Sequence, residues 1–257
     1  MKALIKGYFK FLKQSTNQHG VHSPFVYSLV TKCFYDKKTK PEYATLKAYR
    51  NRLLSNKNSI EVTDFGAGSR VFKSNKRQIS KIAQTAGITT KRAKMLVRIA
   101  QYFKPKNVLE IGTSLGLGTS ALALGNSNAK VISLEGCPQT AATAQENLQH
   151  FNLKNVQVKV GEFTQSFIDL QNQTFDLIYF DGNHQKQATL DYFEALLPTI
   201  HNDSVWIFDD IHWSESMTEA WEIIKQKPEV RVTIDTYQWG FVFFRLEQQK
   251  EHFTIRV

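Results

Sequence analysis

Val108-Leu109-Glu110-Ile111-Gly112-Thr113-Ser114-Leu115-Gly116-Leu117-Gly118 decides the fold of this 257-residue chain. An apolar strand ends in an acid, a glycine-rich turn follows, and residues 119–124 open a helix. Glycine lets the backbone take positive φ and approach a ligand closely, and a helix N-terminus points unbonded N–H groups at whatever lies in the turn. The run therefore builds a floor for a nucleotide-like molecule. A second apolar run, 131–134, ends in Glu135, where a carboxylate can accept both hydroxyls of a ribose.

Outward from this pair, strand and helix alternate. Strands are predicted at 108–111, 131–134, 156–160, 177–180 and 205–208, and helices at 120–124, 140–151, 164–170, 187–197 and 216–226. The tail changes character: 230–236 and 241–246 read as strands joined by Tyr237-Gln238-Trp239-Gly240, short enough for a hairpin. The consequence is an α/β fold whose mostly parallel sheet ends in a C-terminal antiparallel hairpin.

Upstream the pattern is helical and broken. Leu4, Ile5, Tyr8, Phe9, Phe11 and Leu12 share one side of a first helix, with Lys2, Lys6, Lys10 and Lys13 on the other. Further helices are predicted at 25–34, capped by Ser23 and opened by Pro24, and at 43–54, 81–86 and 90–103. Asp64-Phe65-Gly66-Ala67-Gly68-Ser69 imitates a second glycine turn, but basic residues follow where an apolar helix face should begin. It reads as a flexible basic loop, a candidate lid. The chain thus divides into a basic helical N-terminal segment, 1–85 (lid, docking surface or dimer arm), and a ligand-binding domain, 86–257.

Charge follows the same division. Residues 1–104 carry 22 Lys/Arg against 4 Asp/Glu, a balance of +18, and residues 105–257 carry 11 against 19, a balance of −8. A basic front half suggests an anionic partner, whether RNA, a phosphorylated metabolite or a membrane surface; a solvated basic face is the plain alternative. No apolar run is long enough to cross a bilayer, and the N-terminus lacks a secretory core. Cys33 and Cys137 lie far apart without metal-ligand spacing and read as reduced thiols, so the expected location is the cytoplasm.

With these motifs in view, residues 87–246 resemble class I S-adenosylmethionine-dependent methyltransferases, most closely the metal-dependent catechol-type O-methyltransferases and their bacterial relatives. The resemblance implies a Rossmann-like sheet of seven strands. Glu110-Ile111-Gly112-Thr113-Ser114-Leu115-Gly116 is similar to the Glu-x-Gly-x-x-x-Gly motif, which assigns Glu110, Gly112, Thr113, Ser114 and Gly116 to the cofactor. Glu135, with Gly136, matches the ribose-binding acid, and Glu162, Phe163 and Gln165 fall where the family places its adenine-side loop. Tyr179-Phe180-Asp181-Gly182-Asn183-His184 and Ile207-Phe208-Asp209-Asp210 resemble the fourth- and fifth-strand motifs, with Asp181 and Asp209 28 residues apart. That implies Mg²⁺ on Asp181, Asp209 and Asp210, with Asp181 also facing the cofactor and His184 as general base. Two positions depart from the family: Asp210 stands where asparagine is usual, and His184 where lysine is. Asp181 can instead orient only the cofactor, and Asp209-Asp210 can instead cap the following helix.

The activity implied is O-methylation of a hydroxylated acceptor, a small aromatic or, given the basic front half, a structured RNA. Outside this class stand an RNA-binding module on the same fold and a peripheral membrane protein that lays residues 1–13 on anionic lipid. A homodimer built through the N-terminal segment is a further expectation.

Overall fold

The computed structural model describes residues 2–63 and 72–257, with the backbone alone for residues 2–6. A short hairpin, β1 (Ser59–Glu61) against β2 (Lys76–Gln78), stands by itself. The other strands form one sheet: β3 (Asn107–Ile111), β4 (Lys130–Glu135), β5 (Val156–Val160), β6 (Leu177–Phe180), β7 (Val205–Asp209), β8 (Val232–Asp235), β9 (Trp239–Phe243) and β10 (Glu251–Thr254). Their order is β10-β8-β9-β7-β6-β3-β4-β5. Strands β3 to β7 are mutually parallel where they pair, and β9 runs antiparallel to β7 and β8. The parallel sheet and its antiparallel hairpin stand as read from the sequence.

The sheet has eight strands rather than seven. Strand β10 pairs parallel to β8, and Thr16 bridges to Ile255 beside it. Glu251-His252-Phe253-Thr254 offers one buried apolar side chain, Phe253, among polar ones. That is the composition of an edge strand, and it gives no alternation to read.

The chain runs from β3 outward through β4 to β5, then returns to the other side of β3 to lay down β6 and β7. The switch point therefore lies between β3 and β6, and the crevice outside their carboxyl ends is where such sheets take ligands. Period-two alternation divides the core. Leu109, Ile111, Ile178, Phe180, Trp206 and Phe208 pack with α8 (Phe163–Ile168), α9 (Lys186–Leu196) and α10 (Glu215–Gln226). Val108, Leu177, Tyr179, Val205 and Ile207 pack on the opposite face.

That second face is covered by α6 (Leu117–Gly125), by Leu148 of α7 (Pro138–His150), and by helices from the basic front half: α2 (Pro24–Leu29), running into a π-turn at Val30–Phe34, α3 (Glu42–Ser55), α4 (Ile79–Thr85) and α5 (Thr90–Phe103). Ser23 caps α2, its hydroxyl accepting from Val26 N–H, and Pro24 opens the helix. Val26, Leu29, Phe34, Leu46 and Leu53 are buried in the same cluster as the strand residues. Each such side chain contributes about 1.5–3 kcal/mol. The arginines of this half also bond inward. Arg98 donates to the carbonyls of Cys33 (2.8 Å) and Phe34 (3.2 Å), and Arg50 to those of Ile88 (2.7 Å) and Ala83 (3.3 Å). The first helix, α1 (Lys2–Gln14), seats Phe11 against Tyr237 beyond β8, with ring centroids 5.5 Å apart. The candidate lid at 64–71 lies outside the described residues.

Candidate active site

The turn after β3 is shaped by two close approaches. Gly112 has φ +101°, and a Cβ there would overlap the carbonyl of Asp181, so β3 and β6 meet backbone to backbone at the switch point. Gly116, at φ +79°, caps α6, and its missing side chain makes room for the hydroxyl of Tyr49 from α3. That hydroxyl donates to the Leu115 carbonyl at 2.9 Å. Gly116 is thus buttressed from behind by the N-terminal half.

Glu135 closes the floor on the β4 side. Its carboxylate accepts from Ser114 N–H (2.7 Å) and Cys137 N–H (2.9 Å), which fixes it beside the turn, and the residue keeps part of its surface exposed together with Gly136. Beyond β5, Glu162 caps α8, accepting from the Thr164 hydroxyl and from Gln165 N–H, and these bonds, the first above all, hold its carboxyl below the usual range. Glu162 and Gln165 are exposed, while Phe163 lies against Gly182 and Tyr192.

Glu110 does not reach the crevice. It is fully buried, and its Oε2 accepts from the hydroxyls of Thr119 (2.5 Å) and Ser133 (2.6 Å); Thr113 completes the chain, 2.5 Å from Ser133. The carboxylate expected at the cofactor instead ties β3, β4 and α6 together, and Thr113 is buried with it. Alternation is the cause: Glu110 shares the face of Val108, under α6, rather than the open end of the strand. Its Oε1 has no hydrogen-bond partner among the described residues, and burial pushes the carboxyl up to about 7, against the opposing effect of the two hydroxyls.

At the ends of β6 and β7 the structure brings Asp181, His184, Asp209 and Asp210 together. His184 Nε2 lies 3.8 Å from Asp181 Oδ1, both side chains about one-quarter exposed. Asp209 is buried and bonded at both oxygens: Oδ1 accepts from Arg92 Nη1 (2.6 Å) and Asp210 N–H (2.8 Å), and Oδ2 from the Tyr179 hydroxyl (3.0 Å). Arg92 Nη1 is also 3.6 Å from Asp210 Oδ1. Burial and the adjacent Asp209 carboxylate hold Asp181 well above the usual carboxylate range. The same two causes, offset by His184 and Arg92, push Asp210 up to about 6. A cleft beside this cluster is lined by Phe180, His184, Thr189, Tyr192, Phe208 and Met217.

Arg92 and Tyr179 are the members that the motif reading misses. Arg92 carried a signal, since it stands on the helical stripe continued by Leu96, Ile99 and Phe103, where a charge needs a buried partner. The metal assignment does not fit this cluster. Among the described residues no group of three acidic, histidine or cysteine side chains is arranged to hold a metal ion.

Residues 109–211 match the family model described as a methyltransferase domain. An O-methyltransferase from Bacillus cereus, solved in complex with SAH, superposes with a TM-score of 0.54 at 21% identity, over 84% of this chain and 94% of that one. The fold is that of the class I S-adenosylmethionine-dependent methyltransferases. Two curated relatives of this methyltransferase fold are similar in sequence. The catechol O-methyltransferase of Niastella koreensis is 29% identical over 129 residues, 48% of this chain and 58% of that protein. The enzyme of the same name from Mycobacterium tuberculosis is 29% identical over 126 residues, 48% and 56% respectively. This chain thus spans under two-thirds of the length of both relatives.

Proposed function

We propose that this chain transfers a methyl group from S-adenosylmethionine to a hydroxyl of a small acceptor. The observation that carries the reading is the Glu135 carboxylate, pinned by two backbone N–H groups beside a glycine turn at the switch point of the sheet. Glu135 would take the ribose hydroxyls, the main chain of Gly112–Ser114 the methionine end, and Phe163 the flank of the adenine. The bound cofactor supplies an electrophilic methyl on a sulfonium. The chain's own residues supply the rest. His184, positioned by Asp181, accepts the acceptor hydroxyl's proton as oxygen bonds to the methyl carbon and the carbon–sulfur bond breaks.

A small acceptor is favoured over RNA by where the charge sits. The crevice end carries three carboxyls, and Arg50, Arg52, Arg92 and Arg98 of the basic half are bonded to the protein's own groups. Those arginines are therefore not a phosphate-binding stripe. Among the described residues no helix is long and apolar enough to cross a membrane.

Glu135→Ala removes a charged acceptor of two hydroxyl hydrogen bonds, and its expected effect is a loss of S-adenosylmethionine affinity of about 10- to 100-fold. Calorimetric titration of wild type and variant, both checked for native circular dichroism, reads this directly. Equal affinity in a folded variant would remove Glu135 from the cofactor site. Failure of the wild type to bind at all would remove the function.

A further inference from the structure

Asp209 is the residue the family pattern offers as a central metal ligand, yet both of its oxygens are already engaged within the protein. Oδ1 holds the Arg92 guanidinium and the Asp210 N–H, and Oδ2 holds the Tyr179 hydroxyl. Magnesium demands oxygens at about 2.0–2.1 Å in near-octahedral array and tolerates distortion poorly. To enter, it would have to displace a guanidinium already seated between Asp209 and Asp210 and then remain beside it, two like charges in a partly buried crevice.

Arg92 is not a side chain that can easily swing aside. It stands in the first turn of α5, where the Thr89 hydroxyl accepts its backbone N–H, and its guanidinium lies 5.8 Å from the ring centroid of buried Trp239. Guanidinium stays charged at any working pH, and its planar donors suit carboxylates. The site therefore contains a permanent cation at the place where the catechol-type pattern calls for a removable one.

We infer that Arg92 replaces the divalent cation in this chain. It acts as a positioning residue that holds Asp209 and Asp210 and supplies the positive charge at the acceptor end, so that turnover needs no added metal. This inference rests on the methyl-transfer reading for its role, but its core, exclusion of a divalent ion, is a binding property of the folded protein alone.

Mn²⁺ serves as the probe, its binding followed by electron paramagnetic resonance on the full chain. Wild type is expected to bind Mn²⁺ no tighter than about 1 mM, and Arg92→Lys, which keeps the charge, to behave the same. Arg92→Gln vacates Asp209 and Asp210, and the expected result is a gain in Mn²⁺ affinity of about 10-fold or more. Micromolar Mn²⁺ binding by wild type that is lost in Asp210→Asn would overturn the inference, as would a folded Arg92→Gln variant that gains no Mn²⁺ affinity over wild type. S-adenosylhomocysteine titration on the same samples separates the two claims. No such binding, with Mn²⁺ still excluded, overturns methyl transfer and the role given to Arg92 within it while the exclusion stands.

Discussion

Replacing His184 by Ala is expected to lower kcat by about 10²- to 10⁴-fold and to change the S-adenosylmethionine Kd by less than about threefold. The split follows from position. His184 sits in the loop between β6 and α9, 3.8 Å from Asp181, on the acceptor side of the crevice, whereas the cofactor floor is built from Gly112, Ser114 and Glu135. Removing a group that acts only while the hydroxyl loses its proton raises the barrier and leaves ground-state binding intact. Added imidazole is expected to restore part of the rate. An alanine variant with wild-type kcat would assign proton removal to another group. Glutamine at the same position tests packing, since it fills the site without a base of suitable strength.

The sheet was legible in the sequence because parallel strands buried on both faces are short apolar runs with little else they can be. Residues 177–180 and 205–208 are of this kind, and β6 and β7 fall there. Residues that bury on one face are harder. Glu110 ends an apolar run as a ligand-facing acid should, but its partners across the sheet are Ser133 on β4 and Tyr179 on β6, so it belongs to an interior row. Local motif spacing does not encode which face a row takes; the two-residue period does, and Val108 already sets it. The partner of Arg92 was illegible for a different reason. Arg92 lies 117 residues from Asp209, and a salt bridge between an N-terminal helix and the fifth parallel strand exists only once α5 packs on the sheet. Strand order brings Asp181, Asp209 and Asp210 to one place, and there Asp209 is engaged by a residue on another element.

Glu110 also makes the fold pH-dependent in a direction opposite to most carboxylates. Its carboxyl is pushed up to about 7 from 4.5, because burial penalises the charge more than the Ser133 and Thr119 hydroxyls stabilise it. Below pH 4.5 folded and unfolded chains both hold the proton, and no stability is lost. Between about 4.5 and 7 the folded chain binds more protons than the unfolded one, so stability falls as pH rises. Above 7 the loss is complete, at about 3 kcal/mol. Glu110→Gln keeps an uncharged acceptor for both hydroxyls and removes the ionisation. Its amide N–H, placed where Oε1 had no partner, costs about 1–3 kcal/mol at every pH. Thermal melts are therefore expected to cross. The variant melts at or below wild type near pH 4.5 and a few degrees above it at pH 8, since 1 kcal/mol moves Tm by roughly 2–4 °C in a chain of this size. Asp181 and Asp210 titrate in both proteins, so the difference between the two curves isolates Glu110. Curves that stay parallel from pH 4.5 to 8 would mean that Glu110 ionises at no cost, and that the buried row joining β3, β4 and α6 is open to water.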